Sequence, residues 1–246
     1  MSSNSGMMHK RLSSLLDVLA GEAYGLSLSE IARRTALPVT TAHRHLHWLA
    51  DEQLVQMTSD GRWTLGLKLF ELGMQVPART MLRKVAMPEM RALLAVSSRR
   101  VLLAVPYGDS ILFVEECSPM EAGSESRLGL SAPMHLSAAG KLFLADMNPT
   151  ALRSYVQRTA LAGGTEHSLK SMDGLLVRIG RIREFGWAIE RGEWQEGVVC
   201  VAAPLVLRQR LVGALALEAS MRSDIAHKDI EELIASARRI SLALEG

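Results

Sequence analysis

The sequence predicts an α+β protein in which a small helical N-terminal domain precedes a larger domain built on a mostly antiparallel sheet. Residues 1–66 place apolar side chains mostly at helical spacing and contain only two short strand-like runs. From Val101 onward, strand-like apolar runs and Gly-containing turns appear, and helices separate the first strands from the last ones. The order of strands, helices, strands and a final helix is typical of an α+β fold.

The composition is that of an ordinary globular protein. The 246 residues are 48% hydrophobic and 22% charged, which suits one large domain or two small ones. The net charge is only +2, but residues 1–84 hold ten lysines and arginines against seven acids, a sign that suits DNA. Cys117 and Cys200 form no CxxC pair and no signal peptide is evident, so we expect a cytoplasmic protein. The longest apolar run, residues 198–207, is far shorter than the roughly 18 residues of a membrane helix, so we expect no membrane partner.

The first helix is predicted after a Ser-, Asn- and Gly-rich start. Residues 1–6 should be disordered. The leucines that follow share one helical face: Leu12, Leu15, Leu16 and Leu19. Gly21 and Gly25 should end this helix, which would pack beneath the elements that follow.

Two further helices are predicted on either side of Pro38. Residues at i, i+3 and i+4 give the earlier helix its apolar face: Leu28, Ile31 and Ala32. Ser27 and Ser29 are both candidate N-caps. Pro38 disfavours a helical conformation at Leu37 but suits the first turn of a new helix. The later helix buries a second set: Ala42, Leu46 and Leu49.

A small hairpin completes this domain. The strand-like runs 54–57 and 63–65 flank a turn of Thr, Ser, Asp and Gly, in which Gly61 can adopt a positive φ. Two helices, a tight turn and a Gly-tipped hairpin in this order predict a winged helix-turn-helix, which places its second helix in the DNA major groove. The alternative is a three-helix domain without a role in DNA binding.

Polar and cationic residues on the later helix are the candidate DNA contacts. Their side chains suit phosphates and base edges: Thr40, Thr41, His43, Arg44 and His47. Arg62 lies beside the tip of the hairpin, where it could reach a backbone phosphate or the minor groove. His43 and His47 share a helical face but lack further ligands, so we expect no metal, and His45 should pack inside the domain.

Residues 67–77 are predicted to be a linker, which divides the chain into a DNA-binding domain (1–66) and a C-terminal domain (78–246). The linker begins with a helical run at Leu67, and Pro77 should break it. A helix over about 78–95 should follow.

The C-terminal domain is predicted to have five strands and four further helices. Strands are expected at 101–105, 111–115, 186–190, 198–207 and 211–217, with a turn over 106–110 and a loop over 121–126. Helices are expected at 136–146, 149–158, 169–185 and 224–244, the third with Leu175, Leu176, Ile179 and Ile182 inward and the last capped by Ser223.

Three ordered segments give the chain a resemblance to the IclR family of bacterial transcriptional regulators. WTLG at residues 63–66 resembles the family's YxLG close of its winged helix-turn-helix. MHLSAAGK at 134–141 resembles its hxSAxGK segment, and EFGWAIERGEW to GVVCVAAP over 184–204 resembles its GxAxxxxExxxGxxxxAAP signature. The resemblance implies an N-terminal winged helix-turn-helix, a linker helix and a GAF-like effector-binding domain. It also implies a homodimer or a dimer of dimers on a near-palindromic double-stranded operator, a small organic effector and no cofactor.

The resemblance also implies a set of effector-binding positions: Ala138, Ala139, Glu190, Val198, Cys200, Ala216 and Glu218. Some members of the family carry small hydroxyl residues on the last strand, where this chain has Ala216 and Glu218. If Glu190 and Glu218 both face the pocket, an anionic effector is disfavoured unless one carboxylate is protonated or turned away.

Other functions are less well supported by the residues. Gly140 and Lys141 resemble half of a phosphate-binding loop, but the first Gly is missing and Leu142 replaces the Ser or Thr. Cys200 with His135 could suggest a thiol hydrolase, although no local motif supports it. Trp187 and Trp194 suit core or lid packing, or effector contact. A small-molecule enzyme with a helix-turn-helix appendage and a protein-interaction adaptor remain the alternatives to a transcriptional regulator.

Overall fold

The computed structural model describes residues 3–22, 24–119 and 125–245, which form two compact units, Met1–Val76 and Pro77–Gly246. The N-terminal unit contains helices α1 (Ser3–Ala20), α2 (Leu28–Thr35), α3 (Val39–Asp51) and α4 (Leu67–Met74) and strands β1 (Val55–Met57) and β2 (Trp63–Leu65). The C-terminal unit contains helices α5 (Pro77–Ser97), α6 (Ala138–Asp146), α7 (Pro149–Thr159), α8 (Met172–Phe185) and α9 (His227–Glu245). Its strands are β3 (Arg100–Tyr107), β4 (Ser110–Cys117), β5 (Ser131–Pro133), β6 (Ala188–Arg191), β7 (Val198–Leu207) and β8 (Arg210–Ser220).

The N-terminal unit has the winged helix-turn-helix arrangement that the sequence predicts. The predicted apolar faces of α1, α2 and α3 meet in one core, to which β2 adds Trp63. Ser27, rather than Ser29, caps α2 in a capping box with Glu30, and its backbone N–H donates to a Glu30 carboxylate oxygen at 2.9 Å. Gly61 has a φ of 77°, as the turn of the β1–β2 hairpin requires.

The prediction of disorder over residues 1–6 is wrong for Ser3–Gly6, which belong to α1, whereas residues 1 and 2 lie outside the described residues. At the other end of the unit, α4 ends at Met74 and contains no buried residue. The helical run breaks just before Pro77, as predicted, and Pro77 is the first residue of α5, a position that suits proline.

The C-terminal unit is a six-stranded antiparallel sheet between two helical layers. The strand order is β5-β4-β3-β8-β7-β6. Helices α6, α7 and α8 pack against one face and α5 and α9 against the other, so each face has its own apolar core. None of the helices in the described ranges is long and apolar enough to cross a membrane.

Several boundaries in this unit differ from the prediction. Pro106 lies within β3 rather than in a turn, and it costs no ladder hydrogen bond because the β3–β8 pairing ends at Ala104. Strand β5 was not predicted, and its three residues pair with β4. Helix α9 begins at His227, and Ser223 is not its cap but donates its hydroxyl to Ser220 O in a preceding turn.

Two further predictions concern helix α8 and the loop after β4. Leu176 is 46% exposed, whereas the other three apolar residues predicted to point inward on α8 are buried. Of the predicted loop 121–126, residues 121–124 lie outside the described residues, and residues 125 and 126 have no regular secondary structure.

Candidate DNA-binding helix and effector cavity

Helix α3 separates its apolar and polar residues by face. Ala42, Leu46 and Leu49 are buried against α1 and α2. The candidate DNA contacts lie on the surface, where Thr40, His43, Arg44 and His47 are exposed and Thr41 is half-buried. A helix with an anchored apolar face and an exposed polar face is the geometry that major-groove recognition requires.

Aromatic contacts orient the cationic side chains of α3. The Arg44 guanidinium lies 5.3 Å from the centre of the Trp48 ring, and Trp48 is itself 43% exposed. The Nε2 atoms of His43 and His47 are 3.1 Å apart, and the His47 ring lies 5.4 Å from that of Trp63. Trp48 was not singled out from the sequence, although its position one turn after Arg44 is the signal that could have identified it.

The third histidine of α3 lies on the opposite face. His45 is buried, as predicted, and burial lowers its pKa, so the ring is held neutral inside the domain. Within the described ranges there is no group of three residues able to hold a metal ion.

Arg62 is engaged within the hairpin. Its Nη1 donates to Gly25 O at 3.0 Å, and its guanidinium lies 3.6 Å from the Asp60 carboxylate and 3.9 Å from that of Glu30. These contacts tie the hairpin to the turn before α2. The side chain is still 43% exposed.

The predicted effector residues lie on one face of the C-terminal sheet. Strand register aligns Glu190 with Cys200, Cys200 with Glu218, and Glu218 with Arg100, which makes one row across four strands. We call these four residues the cross-strand row. Ala216 is buried in the apolar core beside it, together with Ala138 and Ala139 from the first turn of α6. Val198 faces the same side, two residues before Cys200 on β7.

A cavity of about 310 Å³, hereafter the effector cavity, lies at the end of the cross-strand row. Its lining combines three arginines, one carboxylate and several hydroxyl groups: Ser98, Arg99, Arg100, Pro119, Arg127, Gln195, Gly197, Val198, Glu218, Ala219, Ser220 and Ser223. Of the seven predicted effector residues, Val198 and Glu218 line the cavity. The other five lie in the buried face behind it.

Two arginines that the sequence reasoning missed form ion pairs with Glu218. Arg100 Nη1 donates to Glu218 Oε1 at 2.8 Å, and Arg127 Nε donates to Oε2 at 3.0 Å. Arg100 also lies 3.2 Å from the Glu116 carboxylate. Glu218 therefore faces the cavity as an ion-paired group and is not the free carboxylate that would repel an anion.

Glu190 is the second carboxylate of the cross-strand row. It is only 3% exposed, and the Glu193 backbone N–H donates to its Oε2 at 2.9 Å. Burial raises the pKa of Glu190 to about 7, so its neutral form is well populated near neutral pH. Lys141 and Glu193 form a buried ion pair beside it, with 2.6 Å between Nζ and Oε1.

The loop after β6 is fixed over this site. The Thr165 hydroxyl donates to Gly192 O at 2.5 Å and the Ser168 hydroxyl donates to Glu193 O at 2.7 Å. Trp194 lies with its ring centre 5.8 Å from that of Phe113 and 5.1 Å from the Arg127 guanidinium carbon. Trp194 therefore packs as a cover on the arginine side of the site.

Cys200 and His135 do not form a catalytic pair. Burial raises the pKa of the Cys200 thiol far above its usual range, and the nearby carboxylates raise it further. Both ring nitrogens of His135 have hydrogen-bond partners: Nδ1 lies 2.7 Å from the Tyr155 hydroxyl and Nε2 lies 3.1 Å from Ala162 O. Burial lowers the pKa of His135. A protonated thiol and an imidazole held elsewhere cannot act as nucleophile and base.

Gly140 is required by packing at the start of α6. A Cβ at Gly140 would lie 2.3 Å from Met134 Cα, so the two backbone segments approach too closely for any residue but glycine. The helix is capped by Ser137, whose hydroxyl accepts from Gly140 N at 3.0 Å. The small residues that follow the cap are thus fixed against the sheet.

Both units of the chain match domain models of the same protein family. Residues 10–58 match the IclR helix-turn-helix domain, and residues 74–244 match the bacterial transcriptional regulator IclR C-terminal domain. The regulator KdgR of Dickeya chrysanthemi is 27% identical over 228 residues, which cover 90% of this chain and 74% of that protein. The regulator BhcR of Paracoccus denitrificans is 30% identical over 193 residues, which cover 78% of this chain and 69% of that protein.

A solved structure matches both units as well. The IclR homologue from Microbacterium hydrocarbonoxydans, complexed with 4-hydroxybenzoate, superposes with a TM-score of 0.85 at 25% identity, covering 96% of this chain and 98% of that chain. The match agrees with a winged helix-turn-helix and a GAF-like six-stranded domain. The chain therefore belongs to the IclR family of bacterial transcriptional regulators, as a non-enzymatic DNA-binding protein with an effector-binding C-terminal domain.

Proposed function

We propose that this regulator binds a near-palindromic operator as a homo-oligomer in the cytoplasm, and that a small organic acid bound in the effector cavity changes its affinity for the operator. The observation that carries the proposal is the charge of the cavity lining. Arg100 and Arg127 pair with Glu218, Arg100 also pairs with Glu116, and the third guanidinium, that of Arg99, pairs with Asp229. These guanidiniums offer an acid charge-assisted hydrogen bonds, and the added negative charge is accommodated once Glu190 takes up a proton.

On the DNA side, the exposed face of α3 enters the major groove. Thr40, Thr41, His43 and His47 supply hydrogen bonds to phosphates and base edges. Arg44, held over the Trp48 ring, contacts a guanine or a phosphate. Arg62 braces the hairpin through Gly25 and presents its exposed part to the backbone. Two copies related by a two-fold axis would read the two halves of the operator.

On the effector side, the ligand carboxylate binds Arg127 and Arg100 in place of part of their contact with Glu218. The ligand body extends along the cross-strand row toward Cys200 and Glu190 and under Trp194. Ala138, Ala139 and Ala216 are buried beside the row and have no side chain beyond Cβ, so they crowd it little. The structure of the Microbacterium hydrocarbonoxydans homologue with 4-hydroxybenzoate, an organic acid, supports the same ligand class here.

The acid acts by differential affinity. A ligand that binds one arrangement of the oligomer more tightly shifts the population toward that arrangement, and operator affinity changes by the same coupling energy. Residues 67–77 act as the linker between the two domains. This role is supported by α4, a short helix with no buried residue.

The DNA-binding half of the proposal is tested by fluorescence anisotropy with a fragment that carries the operator. The variant is Arg44→Ala, and the matched control is Arg153→Ala, an exposed arginine on α7. Arg44→Ala should weaken binding about tenfold or more, since one good bidentate contact contributes about 1–3 kcal/mol. Equal weakening by both variants, or by neither, would count against α3 as the reading helix.

The effector half is tested by thermal shift against small carboxylic acids, including 4-hydroxybenzoate, each paired with its uncharged amide. An acid that binds the native state raises the melting temperature by mass action. Arg127→Gln should remove this rise and Arg153→Gln should keep it. Stabilisation by the amides alone, or by acids in Arg127→Gln to the same extent, would overturn the assignment.

A further inference from the structure

A second cavity, of about 190 Å³, lies between α8 and the edge strand β6, and we call it the edge cavity. It shares no lining residue with the effector cavity. Its walls are apolar and come from Ile182, Phe185, Trp187 and Ile189. The remaining lining residues are all cations: Lys141, Arg178 and Arg181.

Two of the three cations of the edge cavity, the arginines, are not neutralised by a carboxylate of the described residues. Within the described residues, neither Arg178 nor Arg181 has an ion-pair partner, and Arg178 is half-buried. Lys141 is fully buried and forms its ion pair with Glu193, with 2.6 Å between Nζ and Oε1. Burial is the main cause that lowers the pKa of Lys141; the carboxylates of Glu193 and Glu190 oppose it, and the charge of Arg178 adds a smaller lowering. An anion at this place would relieve the repulsion between two buried or half-buried cations.

We infer that the edge cavity is a second ligand site, which takes a small amphipathic carboxylate with one ring or a short branched chain. An apolar protein cavity of about 150 Å³ holds a benzene molecule, so about 190 Å³ admits a single ring. The ring packs against Trp187 and Phe185, and the carboxylate binds the guanidiniums of Arg178 and Arg181 at the mouth.

The edge cavity is also connected to the cross-strand row. Lys141, in its wall, pairs with Glu193, and the backbone N–H of Glu193 donates to Glu190. An anion that attracts the Lys141 ammonium therefore changes the electrostatic potential at the Glu190 carboxyl. The effect passes through two direct contacts, Lys141 with Glu193 and Glu193 with Glu190. A ligand in the edge cavity would in this way change the affinity of the effector cavity for its own ligand. Binding in the edge cavity does not require that the effector cavity be occupied.

The test is isothermal titration of the full-length protein with phenylacetate, with phenylacetamide as the probe that lacks the charge and acetate as the probe that lacks the ring. The variant is Arg178→Gln with Arg181→Gln, which removes charge at the mouth without touching the core. Arg153→Gln is the surface control, and Arg127→Gln reports on the effector cavity.

In the Arg127→Gln background, which removes the acid-binding arginine of the effector cavity, phenylacetate should bind with an affinity that falls about tenfold when Arg178→Gln and Arg181→Gln are added. This is the loss expected for charge-assisted hydrogen bonds, and adding Arg153→Gln should leave the affinity unchanged. Acetate and phenylacetamide should bind at least tenfold more weakly than phenylacetate. The inference is overturned if phenylacetate does not bind, if the amide binds equally well, or if Arg127→Gln rather than the double variant removes binding. The last outcome would place phenylacetate in the effector cavity alone.

Discussion

Replacing Glu190 by Gln should remove a pH-dependent loss of stability. In the folded protein, burial raises the pKa of Glu190 from 4.5 to about 7. Each pKa unit corresponds to about 1.4 kcal/mol, so ionising this carboxyl costs the folded state on the order of 3 kcal/mol. The folded state holds the proton more tightly than the unfolded state does. The stability that Glu190 contributes is therefore present below pH 4.5, declines as the pH rises, and is lost above about pH 7.

Glu190→Gln keeps the shape of the side chain and an oxygen that can accept from Glu193 N, but it cannot ionise. Urea unfolding of both proteins, at one fixed protein concentration, gives the difference in unfolding free energy at pH 5 and at pH 8. The wild type should lose about 2–3 kcal/mol relative to the variant between these values, because the titration of all other groups cancels in the difference. A difference that does not change with pH would refute the assignment of Glu190 as the group whose ionisation opposes folding.

The remaining predictions concern packing, capping and thiol reactivity. Gly140→Ala should destabilise the protein by about 3 kcal/mol or more, because the new Cβ overlaps the Met134 backbone. Gly180→Ala lies on an open part of α8 and should stabilise the protein by up to about 1 kcal/mol. Urea unfolding measures both changes. Ser27→Ala should cost about 1 kcal/mol by loss of the α2 capping box, and a melting temperature equal to that of the wild type would contradict the cap. Cys200 should remain unmodified by iodoacetamide at pH 8 in the native protein and react once urea unfolds it, as peptide mass spectrometry can show.

The N-terminal unit could be predicted closely because its signals are local. Pro38 marks the start of α3, Ser27 marks the start of α2, and Gly61 takes the positive φ that the hairpin needs. Each signal acts within a few residues of itself. The boundaries that failed depend on distant partners, as in β5, whose three residues form a strand only by pairing with β4.

The candidate effector site could be predicted in position but not in charge. The resemblance pointed to Glu190 and Cys200 in a matched segment and to Glu218 on the last strand, and the strand register aligns the three residues in one row. The partners of Glu218 could not be found in this way, since Arg127 and Arg100 lie 91 and 118 residues away along the chain. The spacing of apolar residues along a sequence does not indicate contacts between residues so far apart. Only the fold brings these groups together.

The charge of the site decides which effector the cavity can accept. With Glu190 counted as ionised, the buried groups around the cross-strand row comprise four carboxylates and three cations, since Glu116, Glu190, Glu193 and Glu218 stand against Arg100, Arg127 and Lys141. This balance opposes an added anion.

The balance changes if Glu190 takes up a proton, and its pKa of about 7 makes that proton uptake inexpensive. An organic acid bound along the cross-strand row would place a negative charge near Glu190, which disfavours the ionised form and raises the pKa of Glu190. Binding of an acid should therefore be accompanied by uptake of up to one proton. Titration calorimetry in two buffers of different ionisation enthalpy measures this number, and a value of zero at pH 7.5 would mean that the acid does not bind along the cross-strand row.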